Sequence, residues 1–498
     1  MFFRRLIAYN ALVQIIGKNL GIAFSLGTMI LLTRYLGIAG FGQYSTALAF
    51  VGFFVILADL GIYAITVREL AQKSKQRDRI LGNVFVYRLF SAFLIFTVAF
   101  LISFLMPYES TVKLAMGIVA LQSLFSVLAT FWGAIFQVNY RMDLPTFVEI
   151  FSRGLYFVLT FLAIHFKFNL LGIFWLLTIS TLIQFLITYL ISLKFIKLKL
   201  QIDWKFWRYF IKESWPLGLA VVLGMINFQI GLILLSIYKP MTDVGIYGSA
   251  YRVFENLVII PVIFVDLVFP KLSELFLKNH REFKNFFQKT FDVLLIMVFP
   301  IVIFFFFLAP YCIYIIAGKE FIAAAEPLKI LMVILLFTFF SYPLAQLLVA
   351  GGKQKWLIWT TAFFIGPTII LNLIFIPHYT YNGTALATLI TTFINFLFLL
   401  GLAYYLLKIQ PNFSLIKKLI LPSSLSIFFL YLILSTSFFS LERFSQISLI
   451  KQLVLVIFAF IGAGGLYWLI LLGLKIVPLS LIKGLIYQRK IDKKFKML

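Results

Sequence analysis

The chain carries little charge for its length. Only 12% of its 498 residues are charged, whereas 62% are hydrophobic, and the mean hydropathy is +1.04. A soluble domain has roughly 25% charged residues, so this composition excludes a water-soluble fold of this size. Lipid removes the need for a polar surface, and the chain is therefore predicted to be an integral membrane protein.

Cysteine and histidine are nearly absent. The single cysteine, Cys312, excludes a disulfide within the chain and argues against a disulfide-stapled exterior domain. The three histidines show no metal-ligand spacing, and the sequence contains no phosphate-binding loop, no nucleotide-binding glycine fingerprint and no usable Ser/His/Asp set. ATP-driven pumping is not expected, and no cofactor or metal is predicted.

Apolar stretches long enough to cross a bilayer recur along the whole chain. A helix needs about 20 apolar residues to span the hydrocarbon core. Strand-like alternation is absent, so we interpret the stretches as helices. Fourteen spans are predicted, at 11–33, 41–66, 80–106, 112–137, 147–165, 170–193, 214–237, 244–270, 286–309, 322–349, 355–376, 382–407, 419–439 and 449–473.

The positive charges behind the net charge of +25 lie mainly in the predicted loops. With the N-terminus inside, 31 of the 43 Lys and Arg fall in cytoplasmic segments, as the positive-inside rule requires. We therefore expect both termini in the cytoplasm, no nucleic-acid partner, and a basic rim that attracts anionic lipid headgroups. No small-residue cleavage site follows residues 1–5, so span 1 is expected to be a retained signal-anchor.

Two segments recur at nearly constant spacing. The frame G-x-Y-x-x-A occurs at 42–47 and again at 245–250, and the segment 179–186 resembles 390–397. We interpret spans 1–6 and 7–12 as related halves, with chance similarity of apolar helices as the alternative. Each half has six spans, an even number, so both halves enter the membrane from the same side. The halves are therefore parallel, related by an axis along the membrane normal. The predicted regions are an N-lobe at 1–197, a C-lobe at 198–410, two further spans at 411–475 and a basic tail at 476–498.

Ionisable residues inside the spans indicate a polar path, because charge at membrane depth is costly. The bases are Lys18, Arg88, Arg153 and Arg252, and the acids are Asp59, Glu149, Glu255, Asp266 and Asp292. Helical periodicity places Gln14 and Lys18 on one polar stripe of span 1, with Gly21, Ser25 and Thr28. Asn227 lies on a small-residue face of span 7. The polar faces of spans 1, 2, 7 and 8 are predicted to line a central cavity that accepts an anionic group such as a phosphate.

Several of these charges have a simpler interpretation. Glu149 and Arg153 stand four residues apart, which favours an ion pair within one helix. Arg252 and Glu255 are either such a pair or cavity residues. Arg88 is either a cavity base, as we predict for Arg153, or a side chain that reaches toward the membrane interface. Lys18 has no acid three or four residues away, and it is the best candidate for ligand contact.

The sequence resembles the bacterial polysaccharide flippases (Wzx-like, polysaccharide transporter family) of the MOP exporter superfamily. The resemblance rests on Thr33-Arg34-Tyr35-Leu36-Gly37, on 41–44 and 59–62, and in the second half on 244–252 and 269–270. Where such proteins often have a proline after the R-x-L-G turn, this chain has Ile38 and Ala39. The departure bears on the subfamily, not on the fold.

The resemblance implies an all-α, MOP/MATE-like carrier in the bacterial cytoplasmic membrane that turns undecaprenyl-pyrophosphate-linked oligosaccharides to the outer leaflet. It implies that Arg252 and Lys18 are cavity bases and that Arg34 lies at the outer mouth. Asp59, Glu255 and Asp266 are candidate coupling acids, with ion or membrane-potential coupling both open. Expected partners are the lipid-linked glycan, membrane lipids, and polysaccharide polymerases or glycosyltransferases.

Three alternatives remain. A lipid II flippase differs in substrate rather than in mechanism. A MATE-type drug or cation exporter more often has twelve spans and an acid-rich site, whereas the bases here favour an anion. A membrane glycosyltransferase or O-antigen polymerase generally needs a sizeable exterior loop, and the exterior loops predicted here are short. The chain is therefore predicted to be a transporter and not an enzyme.

Overall fold

The computed structural model describes residues 2–72, 76–196, 198–436, 439–474 and 476. Within these residues the chain is built from helices, because a segment that crosses lipid must satisfy its backbone hydrogen bonds internally. The predicted basic tail lies outside the described residues apart from Ile476. The α-helices are α1 (Phe2–Asp59), α2 (Ile62–Gln72), α3 (Arg77–Leu105), α4 (Ser110–Val138), α5 (Asp143–His165), α6 (Leu170–Ser192), α7 (Trp204–Tyr238), α8 (Met241–Lys278), α9 (His280–Phe307), α10 (Ala309–Ala317), α11 (Ala325–Ala350), α12 (Gln354–Leu407), α13 (Ser414–Leu434), α14 (Leu441–Gln446) and α15 (Leu449–Gly473), with a 3-10 helix at Lys319–Ala324 before α11.

Two of these helices are too long for one crossing. The 58 residues of α1 would extend about 87 Å at 1.5 Å per residue, against a hydrocarbon core of about 30 Å. The helix breaks at Gly37, whose φ of 65° and ψ of −177° are not helical. α12 breaks likewise at Thr380, three residues after Pro377. Each therefore supplies two spans, and together with α3 to α9, α11, α13 and α15 the described residues account for the predicted fourteen.

Span 2 also breaks, where a single helix at 41–66 was predicted. α1 ends at Asp59 and α2 begins at Ile62. Between them Leu60 and Gly61 have φ values of 34° and 76°. The backbone of Leu60 lies against Gly218 of α7, where a Cβ atom would meet it. Glycine permits the left-handed turn at 61 and the close approach at 218. The prediction of an unbroken span 2 was wrong.

The chain divides into two compact units. The first comprises Met1–Ser249, Ile316–Ala323 and Ile358–Thr391, and the second comprises Ala250–Ile315, Ala324–Leu357 and Thr392–Leu498. The first unit has a core where α2, α3 and α4 meet, formed around Trp132, Phe131 and Phe210. In the second unit α13 and α15 pack on α9, and Tyr311, Phe444 and Ala459 are buried there. The lobe boundaries at 197 and 410 stay a prediction.

Large apolar side chains remain exposed along the helices. On α3, Phe90, Phe93 and Leu101 are each about 60% exposed. Exposed apolar patches of this extent are rare on soluble proteins and mark membrane or protein contact. In the part of the chain that the structure describes, eleven helical stretches, with α1–α2 and α12 each counted once, are long and apolar enough to cross a membrane. The chain is thus a multi-pass membrane protein.

The two G-x-Y-x-x-A segments touch each other within the first unit. A Cβ atom on Gly42 would lie 3.0 Å from the amide nitrogen of Gly245, and one on Gly245 would lie 3.2 Å from that of Gly42. Small residues let two membrane helices approach this closely. The equivalent segments of spans 2 and 8 therefore cross at their equivalent glycines.

Candidate functional site

Arg153 of α5 is held against the polar stripe of α1. Its Nε and Nη2 donate to Glu149 Oε1 at 3.1 and 2.8 Å, and its Nη1 donates to Ser25 Oγ at 2.8 Å. The side chain passes Gly21, where a Cβ atom would come within 3.1 Å of Arg153 Cδ. The predicted Glu149–Arg153 ion pair is confirmed. Arg153 is still 44% exposed, so its guanidinium remains accessible.

Lys18 lies one turn before Gly21 on the same face of α1. Its side chain is exposed, while Gln14 is half-buried. Among the described residues, no carboxylate lies within 4 Å of the Lys18 ammonium. α1 and α5 therefore present two accessible cations, one paired and one not.

Arg88 is buried and forms an ion pair with Asp59. Its Nη2 lies 2.7 Å from Asp59 Oδ1 and donates to Thr130 Oγ1 at 3.1 Å. The Arg88 side chain is only 2% exposed, so it does not reach toward the membrane interface, and its role as a cavity base stays a prediction. Its Nε and Nη1 have no hydrogen-bond partner among the described residues. The carboxylate of Asp59 compensates the buried charge, and the pair ties the end of α1 to α3 beside the break in span 2.

Asn227 is part of a polar network between α7 and α12. Its side-chain nitrogen donates to the carbonyl of Thr361 at 3.1 Å, and its oxygen accepts from Thr368 Oγ1 at 3.0 Å. Nearby, the side chain of Thr384 packs on Gly231, where a Cβ atom would come within 2.8 Å of it. Asn227 thus joins two helices, and its predicted contact with substrate stays a prediction.

In the second unit, Arg252 and Glu255 form the local pair that their spacing allowed. Arg252 Nη1 lies 2.9 Å from Glu255 Oε2, and the two side chains are 38% and 33% exposed. Fourteen residues further along α8, Asp266 accepts a hydrogen bond from Tyr342 Oη of α11 at 3.1 Å. Gln346 donates to the same Tyr342 oxygen at 3.3 Å. The sequence analysis missed Tyr342 and Gln346, because only tertiary packing brings them to an acid on another helix.

Arg34 lies just before the break at Gly37. Its side chain is exposed, and a Cβ atom on Gly318 would lie 3.8 Å from Arg34 Cγ. Glu320 lies two residues after Gly318, and a Cβ atom on Gly37 would lie 3.7 Å from Glu320 Oε2. Arg34 therefore lies where spans 1 and 2 connect, and its role at an outer mouth stays a prediction.

Comparison with solved structures places this fold among transporters. It superposes on the lipid II flippase MurJ in an inward closed conformation with a TM-score of 0.74 and 18% identity, over 93% of this chain and 100% of MurJ. A multidrug resistance MATE family transporter of the MOP superfamily, inward-facing, gives 0.66 and 14%, over 80% of this chain and 99% of that one. A MOP superfamily transporter from Pyrococcus furiosus gives 0.58 and 15%, over 81% and 96%. At these identities the likeness is one of fold.

Across the described residues the fold is accordingly all-helical and MOP/MATE-like. The family model described as polysaccharide biosynthesis protein matches residues 5–276, more than half of the sequence, so the chain belongs to that family. A relative from Shigella flexneri, a proposed O-antigen transporter, is 22% identical over 315 residues, which are 59% of this chain and 72% of the relative. The predicted family is thus confirmed, and the relative and the solved structures named above are described as transporters or flippases rather than as enzymes.

Proposed function

We propose that the protein is a flippase that carries undecaprenyl-pyrophosphate-linked oligosaccharide from the inner to the outer leaflet of the bacterial cytoplasmic membrane. Membership of the polysaccharide biosynthesis family and similarity to a proposed O-antigen transporter support this substrate class. The substrate has an anionic, sugar-bearing head and a polyprenyl tail. The head needs a polar, cationic route, whereas the tail remains in lipid.

The observation that carries the proposal is the pair of accessible cations on α1 and α5. Glu149 and Ser25 orient the Arg153 guanidinium, and Lys18 stands on the same face of α1 without a carboxylate partner in the described part of the chain. A planar guanidinium suits bidentate binding of one phosphate, and an ammonium acts as a point charge on the next. In our proposal Arg153 and Lys18 bind the pyrophosphate and Gln14 contacts it from the side.

We also propose roles for polar residues of the second unit. We propose that Arg252 contributes a third cation, and that Glu255 or Asp266 changes its protonation or ion binding during the cycle. The Tyr342 hydroxyl would stabilise Asp266 while it is ionised. Transport would then be driven by an ion gradient or the membrane potential, without a bound cofactor.

Alternating access is the mechanism we propose, and the sequence similarity between the two predicted halves supports it. The crossing of spans 2 and 8 at Gly42 and Gly245 is a contact that such a cycle could break and remake. We further propose that both termini are cytoplasmic, where glycosyltransferases supply the lipid-linked glycan, and that polysaccharide polymerases use it in the outer leaflet. Reporter fusions to each terminus test the orientation, and an exterior signal would contradict it.

Complementation of a strain that lacks its own O-antigen flippase tests the substrate class. We expect the chain to restore surface glycan. Lys18→Ala, Arg153→Ala and Arg252→Ala should each reduce export and leave the amount of protein in the membrane unchanged. Lys451→Ala, on an exposed helix start, is the matched control. Rescue of a lipid II flippase depletion strain without restored O-antigen would overturn the proposed substrate in favour of lipid II.

A further inference from the structure

The segment that joins spans 6 and 7 is fixed along α3. The carbonyl of Lys199 packs on Gly82, where a Cβ atom would meet it. Asn83 Nδ2 lies 3.5 Å from Gln201 Oε1, and Trp207 Nε1 donates to the Asn83 carbonyl at 3.1 Å. This segment, which we call the linker ledge (residues 199–205), thus has a defined position on the first unit.

Apolar and polar residues alternate in the sequence of the linker ledge. Gln201 and Asp203 contact Asn83 and Arg79 of α3, although Gln201 is itself exposed. The apolar residues beside them are exposed as well: Leu200, Ile202 and Trp204 are 65%, 63% and 73% exposed. The ledge therefore presents three exposed apolar side chains, which form its apolar edge.

Cations surround this edge. Arg79, Lys199, Lys205, Arg208 and Lys212 are all exposed. Asp203 pairs with Arg79 at 2.7 Å and also accepts hydrogen bonds from the amides of Lys205 and Phe206. The free backbone donors at the start of α7 are thereby occupied, so an incoming anion would meet the side-chain cations. A cavity of about 270 Å³ opens among them, lined by Gln76, Arg79, Ile80, Asp203, Lys205, Phe206 and Tyr209.

We propose that the linker ledge, with Arg79, Arg208 and Lys212, binds an anionic glycerophospholipid. Lys205 and Arg208 contact the headgroup phosphate, and Leu200, Ile202 and Trp204 enter the boundary between headgroups and acyl chains. Tryptophan prefers that depth, and each base near an anionic surface contributes attraction. A zwitterionic lipid offers the same apolar depth but no net charge for five exposed bases.

The position of the ledge gives the interaction a consequence. It includes the first two residues of α7, and it links the two predicted halves of the chain. A bound lipid would hold this connection at the membrane surface. Lipid binding at the ledge does not depend on which substrate is carried, so it can be tested separately from the proposed flippase activity.

Tryptophan quenching by brominated lipids tests the proposal on the full-length protein in nanodiscs. The chain has eight tryptophans, so the Trp204 signal is the difference between the wild type and Trp204→Phe. At equal mole fraction in phosphatidylcholine nanodiscs, brominated phosphatidylglycerol should quench that signal more strongly than brominated phosphatidylcholine. Lys205→Gln/Arg208→Gln should weaken the apparent affinity by about fivefold per base removed. Lys319→Gln/Lys451→Gln removes the same charge elsewhere and should leave the affinity unchanged.

Equal quenching by the two brominated lipids would overturn the proposal, because contact would then be apolar only. The proposal would also be overturned if Lys205→Gln/Arg208→Gln lost no more affinity than the control Lys319→Gln/Lys451→Gln. Salt titration of the wild-type protein is an independent test that needs no variant. The preference for phosphatidylglycerol should fall as ionic strength rises, since exposed charges are screened, and a preference insensitive to salt would also overturn the proposal.

Discussion

Gly42 and Gly245 pack against each other in a reciprocal arrangement. A Cβ atom on Gly42 would collide with the carbonyl of Met241, and one on Gly245 would collide with the carbonyl of Ile38. Met241 stands four positions before Gly245, and Ile38 stands four positions before Gly42. The same spacing of 203 residues relates the two glycines and the two carbonyls. The contact therefore has the local two-fold symmetry that a duplicated membrane protein predicts.

Gly42→Ala and Gly245→Ala should each destabilise this crossing. A methyl group would force two backbones apart, and overpacking of this kind typically costs about 1–3 kcal/mol. Unfolding of the purified protein by detergent titration measures the effect. Gly52→Ala is the matched control on the same helix, because no atom lies within 4 Å of its added Cβ. If Gly42→Ala were as stable as Gly52→Ala, the close crossing would not be present in the folded protein.

Asp59→Asn should be more damaging than Arg88→Met. The first variant leaves a guanidinium buried without a counter-ion, which costs about 3–5 kcal/mol for a buried pair. The second leaves a carboxylate that is 36% exposed and can be solvated. The double variant should recover part of the loss, as a double-mutant cycle of unfolding free energies would show.

The exposed pair Lys278–Glu274 is the control for that cycle. Its side chains are 69% and 42% exposed, and pairs of this kind contribute about 1 kcal/mol or less. A coupling energy between Asp59 and Arg88 no larger than that of Lys278 and Glu274 would contradict the buried ion pair.

Ser25→Ala should weaken substrate binding without preventing transport. Ser25 is the acceptor for Arg153 Nη1 at 2.8 Å, so its loss leaves the guanidinium oriented by Glu149 alone. We expect KM for the lipid-linked glycan to rise several-fold while kcat stays close to the wild-type value. Ser91→Ala is the control, because the Ser91 hydroxyl bonds only within its own helix, to the carbonyl of Arg88. A fall in kcat with unchanged KM would refute the positioning role of Ser25.

Local charge patterns could be predicted from the sequence, and contacts between helices could not. The pairs Glu149–Arg153 and Arg252–Glu255 follow from spacing along one helix, and both form. Arg88 illustrates the limit: its partner Asp59 is 29 positions away on another helix, and nothing in either span indicates the pairing. The positions of the spans were predictable because apolar length is set by the membrane, whereas helix ends such as the start of α7 at Trp204 were not.

Breaks inside the spans were predictable only in part. The turn between spans 1 and 2 was expected near residues 34–40, and the structure places it at Gly37. The break at Leu60–Gly61 was missed, although Gly61 directly follows Asp59-Leu60 in the sequence. An isolated glycine in an apolar helix is often tolerated, and only the approach of Gly218 shows that this one is used for a turn.

The start of α7 should weaken at low pH. Arg79 donates a hydrogen bond to Asp203 and holds the pKa of that carboxyl below its usual value. A depressed pKa means that Asp203 stabilises the folded state above the unfolded pKa of about 4, and that this contribution is lost as pH falls through the folded pKa. Amide exchange at Lys205 and Phe206, corrected for the intrinsic rate, should accelerate in that range. Asp203→Ala should show fast exchange at neutral pH also, and slow exchange in that variant would contradict the role of the cap.

In the proposed mechanism the cations of α1 and α5 carry a pyrophosphate head across the membrane. Transbilayer movement of a short-chain polyprenyl-pyrophosphate disaccharide in proteoliposomes of purified protein tests this mechanism. We expect movement by the wild type, and loss of that movement in Lys18→Ala/Arg153→Ala at equal protein incorporation. Movement no faster than in protein-free liposomes, or undiminished movement in the double variant, would contradict it.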